Sequence, residues 1–173
     1  MALIRSVRGF DPKIGKNCFL AETAVIIGDV ELGDDCSIWY GAVLRGDVNS
    51  IKVGNRVNIQ DGAVLHTLFE RSTVEIGDDV SVGHNAIIHG AKVGNNVLVG
   101  MGAVLLDNAV IPDNTVIAAG ALVLSNAVLE PGTWAGVPAK LVKPENEATT
   151  RMAAQNAKGY LKYKQWFLDE KQV

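Results

Sequence analysis

The chain has 173 residues and a formal net charge of −3, with 48% hydrophobic and only 6% aromatic residues. That length suits one domain with a sizeable core, and the aliphatic bias leaves Val, Ile, Leu and Ala to build it. With no Lys/Arg run there is no electrostatic footprint for nucleic acid or an anionic membrane, and no apolar run reaches spanning length.

The N-terminal stretch Met1 to Arg8 lacks the continuous apolar core of a signal peptide, so a soluble cytoplasmic protein is expected. The irregular first ten residues are expected to cap one end of a repeating structure. Aliphatic residues recur every six positions after them: Ile14, Leu20, Ile26, Leu32, Ile38 and Leu44, resuming at Val53, Ile59 and Leu65, at Ile76, Val82 and Ile88, and from Val93 through Leu129. Two positions before most of them stands a small or β-branched residue, such as Ala24, Val30, Ala42, Ala63 or Ala86. Two inward residues flanking an outward one is strand alternation, and the subsequent Gly-Asp-Asp, Gly-Asn-Arg and Gly-Asn-Asn segments are turn formers. The unit is a short strand plus a corner, and three units close one coil of a triangular prism. The period breaks after Leu44, Leu65 and Ile88, always following the third side counted from Ile14. Loops of variable length therefore leave from one edge.

Cys18 and Cys36 occupy the small-residue position one coil apart and are expected to be buried, reduced packing residues.

The only histidines are His66, His84 and His89. His66 follows Leu65 and His89 follows Ile88, so both sit just after the third side in successive coils, with backbones about 4.8 Å apart. Two imidazoles stacked in this way can share a metal, with Zn–N bonds of about 2.0 to 2.1 Å. His84 is the second residue after Val82, hence at another corner, farther off than side chains can bridge. One chain cannot gather all three, whereas a threefold ring of prisms brings His84 of one copy to the His66 and His89 of another. The same columns place Arg45 with the histidine pair and Asp61 with His84, so these two are expected to meet across the seam. Gln60, beside Asp61, is placed to orient a water on the metal.

From Pro144 onward the six-residue pattern stops and Ala, Glu, Lys and Gln take over. A helix is expected over 144–173, lying on the 1–143 β-domain as part of the same domain. Met152, Tyr160, Tyr163, Trp166 and Phe167 would form its aromatic face, and Gly159 would weaken it.

The repeat resembles the hexapeptide-repeat left-handed β-helix proteins over roughly residues 11–140, and that resemblance implies the hand. The fold class expected is an all-β solenoid of hexapeptide repeats with a C-terminal α-helix. Arg45-Gly46-Asp47, Asn58-Ile59-Gln60-Asp61-Gly62, Leu65-His66 and Gly83-His84-Asn85-Ala86-Ile87-Ile88-His89-Gly90 are together similar to the γ-class carbonic anhydrases. The resemblance implies a homotrimer holding Zn²⁺, or Fe²⁺ or Co²⁺, between subunits through His66, His89 and a neighbour's His84. It implies reversible hydration of CO₂ to bicarbonate by metal-bound hydroxide. Gln60 would position the hydroxide or bicarbonate, and Arg45, Asp47, Asn58 and Asp61 would build the seam. Val48 and the loop Thr67 to Ser72 depart from the family's most active archaeal member, which has a glutamate at the former place and a proton-shuttling glutamate in the latter. Glu70 is the one acid in that loop, slightly displaced, and Tyr160 resembles a tyrosine that bacterial relatives bring toward the metal. The competing readings are a hexapeptide acyltransferase, an acyl-CoA thioesterase on the same scaffold, and a non-catalytic assembly subunit.

Overall fold

A computed structural model describes residues 1–169. It is a left-handed β-solenoid of about seven turns with a single helix after it. Each aliphatic position faces its counterpart one coil on, in parallel register. On the third side Ile26 faces Leu44, Leu44 faces Leu65, Leu65 faces Ile88, and Ile88 faces Leu105. These side chains, with Ala24, Ala42, Ala63 and Ala86 beside them, are fully buried. The core is thus a stack of aliphatic layers with few aromatics, as the composition requires.

The second side forms its own eight-stranded sheet, while the first and third share an eleven-stranded one. They are joined because Val25–Leu32 and Val43–Val53 run on around the corner. Gly28 permits this turn, with φ at 74° and no room for a Cβ against the Gly46 backbone. Another corner is held by a ladder of side chains. Asp34, Asn55, Asp78, Asn95 and Asp113 each accept the backbone N–H of a residue one coil earlier, at 2.6 to 2.9 Å. Asp and Asn alternate along it, so carboxylates do not stack directly on one another.

The three outer faces differ in chemistry. On the first, Lys13, Glu31, Lys52, Glu75 and Lys92 are successive cross-strand neighbours of alternating sign. On the second lies the helix, Glu147–Asp169. The third presents Val25, Val43, Val64, Ile87, Val104 and Leu122 in one apolar stripe, with Ile87 exposed.

Several expectations need correction. The helix begins at Glu147, where Asn146 Oδ1 caps the N–H groups of Ala148 and Thr149 at 3.0 and 3.1 Å. Pro144 instead ends a strand, Lys140–Pro144, antiparallel to Gly132–Ala135. The expected extension of the helix to residue 173 lies outside the described residues. The helix buries Thr149, Ala153, Ala157 and Lys164; of its aromatics Tyr160 packs on Trp39 and Phe167 on Phe19 and Trp39, while Met152, Tyr163 and Trp166 stay exposed. The first ten residues are not all irregular: Leu3–Arg5 add a parallel strand to Val25–Ile27 and cover that edge. Cys36 is buried as expected, but Cys18 is only partly so. The neighbouring Cys36 thiol holds Cys18 low, at about 7, against the opposing effect of burial. The Cys18 thiol, with burial, pushes Cys36 up.

Candidate metal centre

Two half-sites lie at two corners of the prism. The first is built from the ends of the third-side strands, Val64–His66 and Ile87–His89, where the register sets His66 directly opposite His89. His66 Nδ1 and His89 Nε2 are 3.2 Å apart. The other nitrogen of each ring meets a carboxylate: His66 Nε2 is 3.1 Å from Asp47 Oδ1, and His89 Nδ1 is 3.0 Å from both oxygens of Asp107. Arg45 forms an ion pair with Asp47. Burial pushes the Asp47 carboxyl up, but bonds to Arg45 and His66 outweigh it and hold the group below its ordinary value. For Asp107 the same contest is won by Ser72 and His89.

Both carboxylates are therefore ionised at neutral pH and can only accept hydrogen bonds. In their neutral forms the rings then carry their protons on His66 Nε2 and His89 Nδ1, and the lone pairs of His66 Nδ1 and His89 Nε2 lie 3.2 Å apart. Burial, above all, holds the His66 imidazole below 6.5, opposed by Asp47, so it stays neutral near pH 7. Nothing in the pair itself relieves the repulsion; a cation between the two nitrogens would.

The second half-site stands after the second side. His84 Nδ1 is 2.9 Å from Asp61 Oδ2, which leaves its Nε2 free to bind outward. Gln60 and Asn58 are buried beneath the helix, where Gln60 Nε2 donates to Asn58 Oδ1 at 2.9 Å and Asn58 Nδ2 donates to Ser81 Oγ at 2.8 Å. The Gln60 amide is thereby fixed in orientation. Tyr160, from the helix, packs edge-on against Trp39 with ring centroids 5.4 Å apart. Burial raises its phenol pKa, and the charge of Asp61 adds to the effect.

Among the described residues no three His, Cys, Asp or Glu side chains converge within one chain, and His84 stands apart from His66 and His89. Within the chain Arg45 pairs with Asp47 and Asp61 with His84. Glu70 sits at the exposed tip of its loop, with φ at 56°, and makes no hydrogen bond or ion pair to the histidines among the described residues. Sequence reasoning missed Asp107 and Ser72. The available signal was position: the register that sets Leu105 opposite Ile88 puts Asp107 one residue past the place of His89 in the next coil.

The pattern described as bacterial transferase hexapeptide (six repeats) matches residues 11–46, 73–107 and 90–125. Protein YrdA of Escherichia coli (strain K12) is 41% identical over 97% of this chain and 95% of its own length. The carbonic anhydrase of Geobacillus kaustophilus is 42% identical over 95% of this chain and 91% of its own. The chain belongs to the γ-class carbonic anhydrase-like family. A crystal structure of a hexapeptide transferase family protein from Anaplasma phagocytophilum superposes with a TM-score of 0.89, at 37% identity over 95% of this chain and 98% of that one.

γ-class membership implies a metal, and the residues fit one. Two nitrogens bound to a tetrahedral zinc at about 2.0 to 2.1 Å lie about 3.3 Å apart. The observed 3.2 Å between His66 Nδ1 and His89 Nε2 matches that spacing. Each histidine also has a carboxylate on one ring nitrogen, which would fix the tautomer and raise the basicity of the other nitrogen as a ligand.

Proposed function

We propose that this protein is a metal-dependent carbonic anhydrase that works as a homotrimer, each centre taking His66 and His89 from one copy and His84 from the next. The observation that carries this is the 3.2 Å approach of His66 Nδ1 to His89 Nε2, each ring with a carboxylate at its other nitrogen, and the third histidine at a different corner. Threefold association is supported by the apolar stripe Val25, Val43, Val64, Ile87, Val104 and Leu122, which neither the helix nor the charged ladder occupies. An apolar face of this length suits contact with another copy of the chain.

Zinc, iron or cobalt held there supplies Lewis acidity, lowering the pKa of water to near neutrality so that a nucleophile for CO₂ exists at pH 7. The chain's own residues do the rest. Asp47, Asp61 and Asp107 keep the three imidazoles oriented through their outer nitrogens. Gln60, whose amide Asn58 fixes, would hold the reacting oxygen by a hydrogen bond. Tyr160, whose proton is retained at neutral pH because its pKa is raised, donates a hydrogen bond and does not act as a base. Arg45 and Asp47 secure the seam, and Glu70 accepts protons at the solvent side of the loop.

The test is stopped-flow CO₂ hydration on zinc-, cobalt- and iron-loaded protein, run beside acyl-CoA hydrolysis and acyl transfer. Metal-dependent hydration lost in His84→Ala is expected. Acyl-CoA turnover without CO₂ hydration would replace this reading with a thioesterase or transferase.

A further inference from the structure

Behind His89 lies a chain of contacts that reaches the loop following His66. His89 Nδ1–H donates to Asp107, Ser72 Oγ donates to Asp107 Oδ1 at 2.5 Å, and Ser72 Oγ accepts the Leu68 N–H at 2.9 Å. The loop is clasped a second time by Asn49, whose Nδ2 donates to the carbonyls of Leu68 and Ser72 at 3.0 and 2.9 Å. Because the Leu68 N–H occupies one lone pair of the Ser72 hydroxyl, its proton is directed at the carboxylate. The contact crosses directly over Gly90, which holds φ at 63°; a Cβ there would collide with both Ser72 Oγ and Asp107 Oδ1. So Gly90 leaves the space in which Ser72 and Asp107 meet.

We propose that Asp107 and Ser72 are positioning residues for metal capture: they lock His89 as the Nδ1–H tautomer with Nε2 aimed at the site, and they tie that geometry to the Thr67–Ser72 loop. This rests on the metal reading above. The reason it matters is tautomeric. A neutral imidazole offers one lone pair, and without an acceptor at Nδ1 the proton can settle on Nε2, which blocks ligation. Asp107 accepts with both oxygens, so that alternative is disfavoured, and the Ser72 bond stops the carboxylate from rotating away. Asp47 and Asp61 serve the other two histidines, but neither is braced by a side chain of this loop.

The experiment compares wild type, Asp107→Asn and Ser72→Ala by two readouts. The first is ¹⁵N-detected tautomer assignment of His89 in metal-free protein at about pH 8, where imidazole is neutral. The second is zinc affinity by competition with a chromophoric chelator. In wild type His89 should be the Nδ1–H tautomer. Asp107→Asn should populate the Nε2–H form and weaken zinc binding about 10- to 100-fold, and Ser72→Ala should shift both in the same direction by a smaller factor. Should Asp107→Asn fail to fold, Ser72→Ala decides alone. An unchanged tautomer and unchanged zinc affinity in a folded variant would overturn the proposal. If wild type binds no divalent metal, the proposed function falls, and the tautomer measurement still decides whether Asp107 and Ser72 set the ring.

Discussion

His66 Nδ1 lies 3.2 Å from His89 Nε2, and each ring meets a carboxylate on its far side. When both rings are neutral their lone pairs repel there, and a bound cation would turn that repulsion into attraction. Metal removal should therefore lower the melting temperature, with zinc at about a thousandfold over its Kd adding roughly 4 kcal/mol of stability. The pH sign follows from His66, which burial holds below its ordinary 6.5. Its contribution to the metal-free protein is fully present above that value. It is lost as pH falls from there through the lowered folded value, since the unfolded chain then binds more protons. Thermal melts with and without chelator between pH 5 and 8 would check both effects.

Tyr160 keeps its proton because it is half-buried against Trp39 and lies near Asp61. Tyr160→Phe should retain full metal binding and the helix packing, while lowering kcat/KM for CO₂ hydration by roughly tenfold, the loss of about 1.4 kcal/mol from one hydrogen bond. Steady-state kinetics at fixed metal loading would measure this. No change would make Tyr160 a packing residue.

Lys164 is 4% exposed, and its ammonium binds the Asn17 carbonyl at 2.7 Å and Asp35 at 3.0 Å. It anchors the helix that carries Tyr160 to the first coils of the prism. Lys164→Ala leaves those acceptors unpaired and should cost about 1 to 3 kcal/mol. Faster proteolysis within Glu147–Asp169, with the solenoid intact, is the expected outcome of limited digestion.

The two thiols should differ in reactivity. Cys18 is partly exposed and held low at about 7, whereas Cys36 is buried and pushed up. Alkylation of native protein at neutral pH should modify Cys18 well before Cys36, read by mass spectrometry of digests. Equal rates would contradict the thiol pairing.

The sequence carried much of this structure because a solenoid turns spacing into position. Once Ile88 is known to follow Leu65 by one coil, His89 must face His66, and the register agrees. Asp107 escaped notice because it contacts Ser72 and His89 across a corner where Ile88 to Val93 is a short step, which displaces the column by one. The helix face was only partly legible for another reason. Tyr160 and Phe167 reach the aromatic cluster at Phe19 and Trp39, but close approach to the flat second-side sheet elsewhere needs small residues, and Ala153 and Ala157 meet that need. Cys18 lies in the first coil, where only one neighbouring layer covers it, so the inward alternation could not guarantee burial.

The central claim is that each metal site joins two copies of the chain, and subunit mixing tests it most directly. His84→Ala and His66→Ala proteins should each be folded and bind zinc only weakly. After co-refolding in equal amounts, every mixed trimer should contain one seam uniting an intact His84 with an intact His66 and His89 pair. About a quarter of all sites in a random mixture should then bind zinc tightly. Recovery near that fraction, absent from either variant alone, is the predicted result. No recovery in mixtures shown to contain mixed trimers would contradict the account, because it would mean that the three histidines act within a single chain.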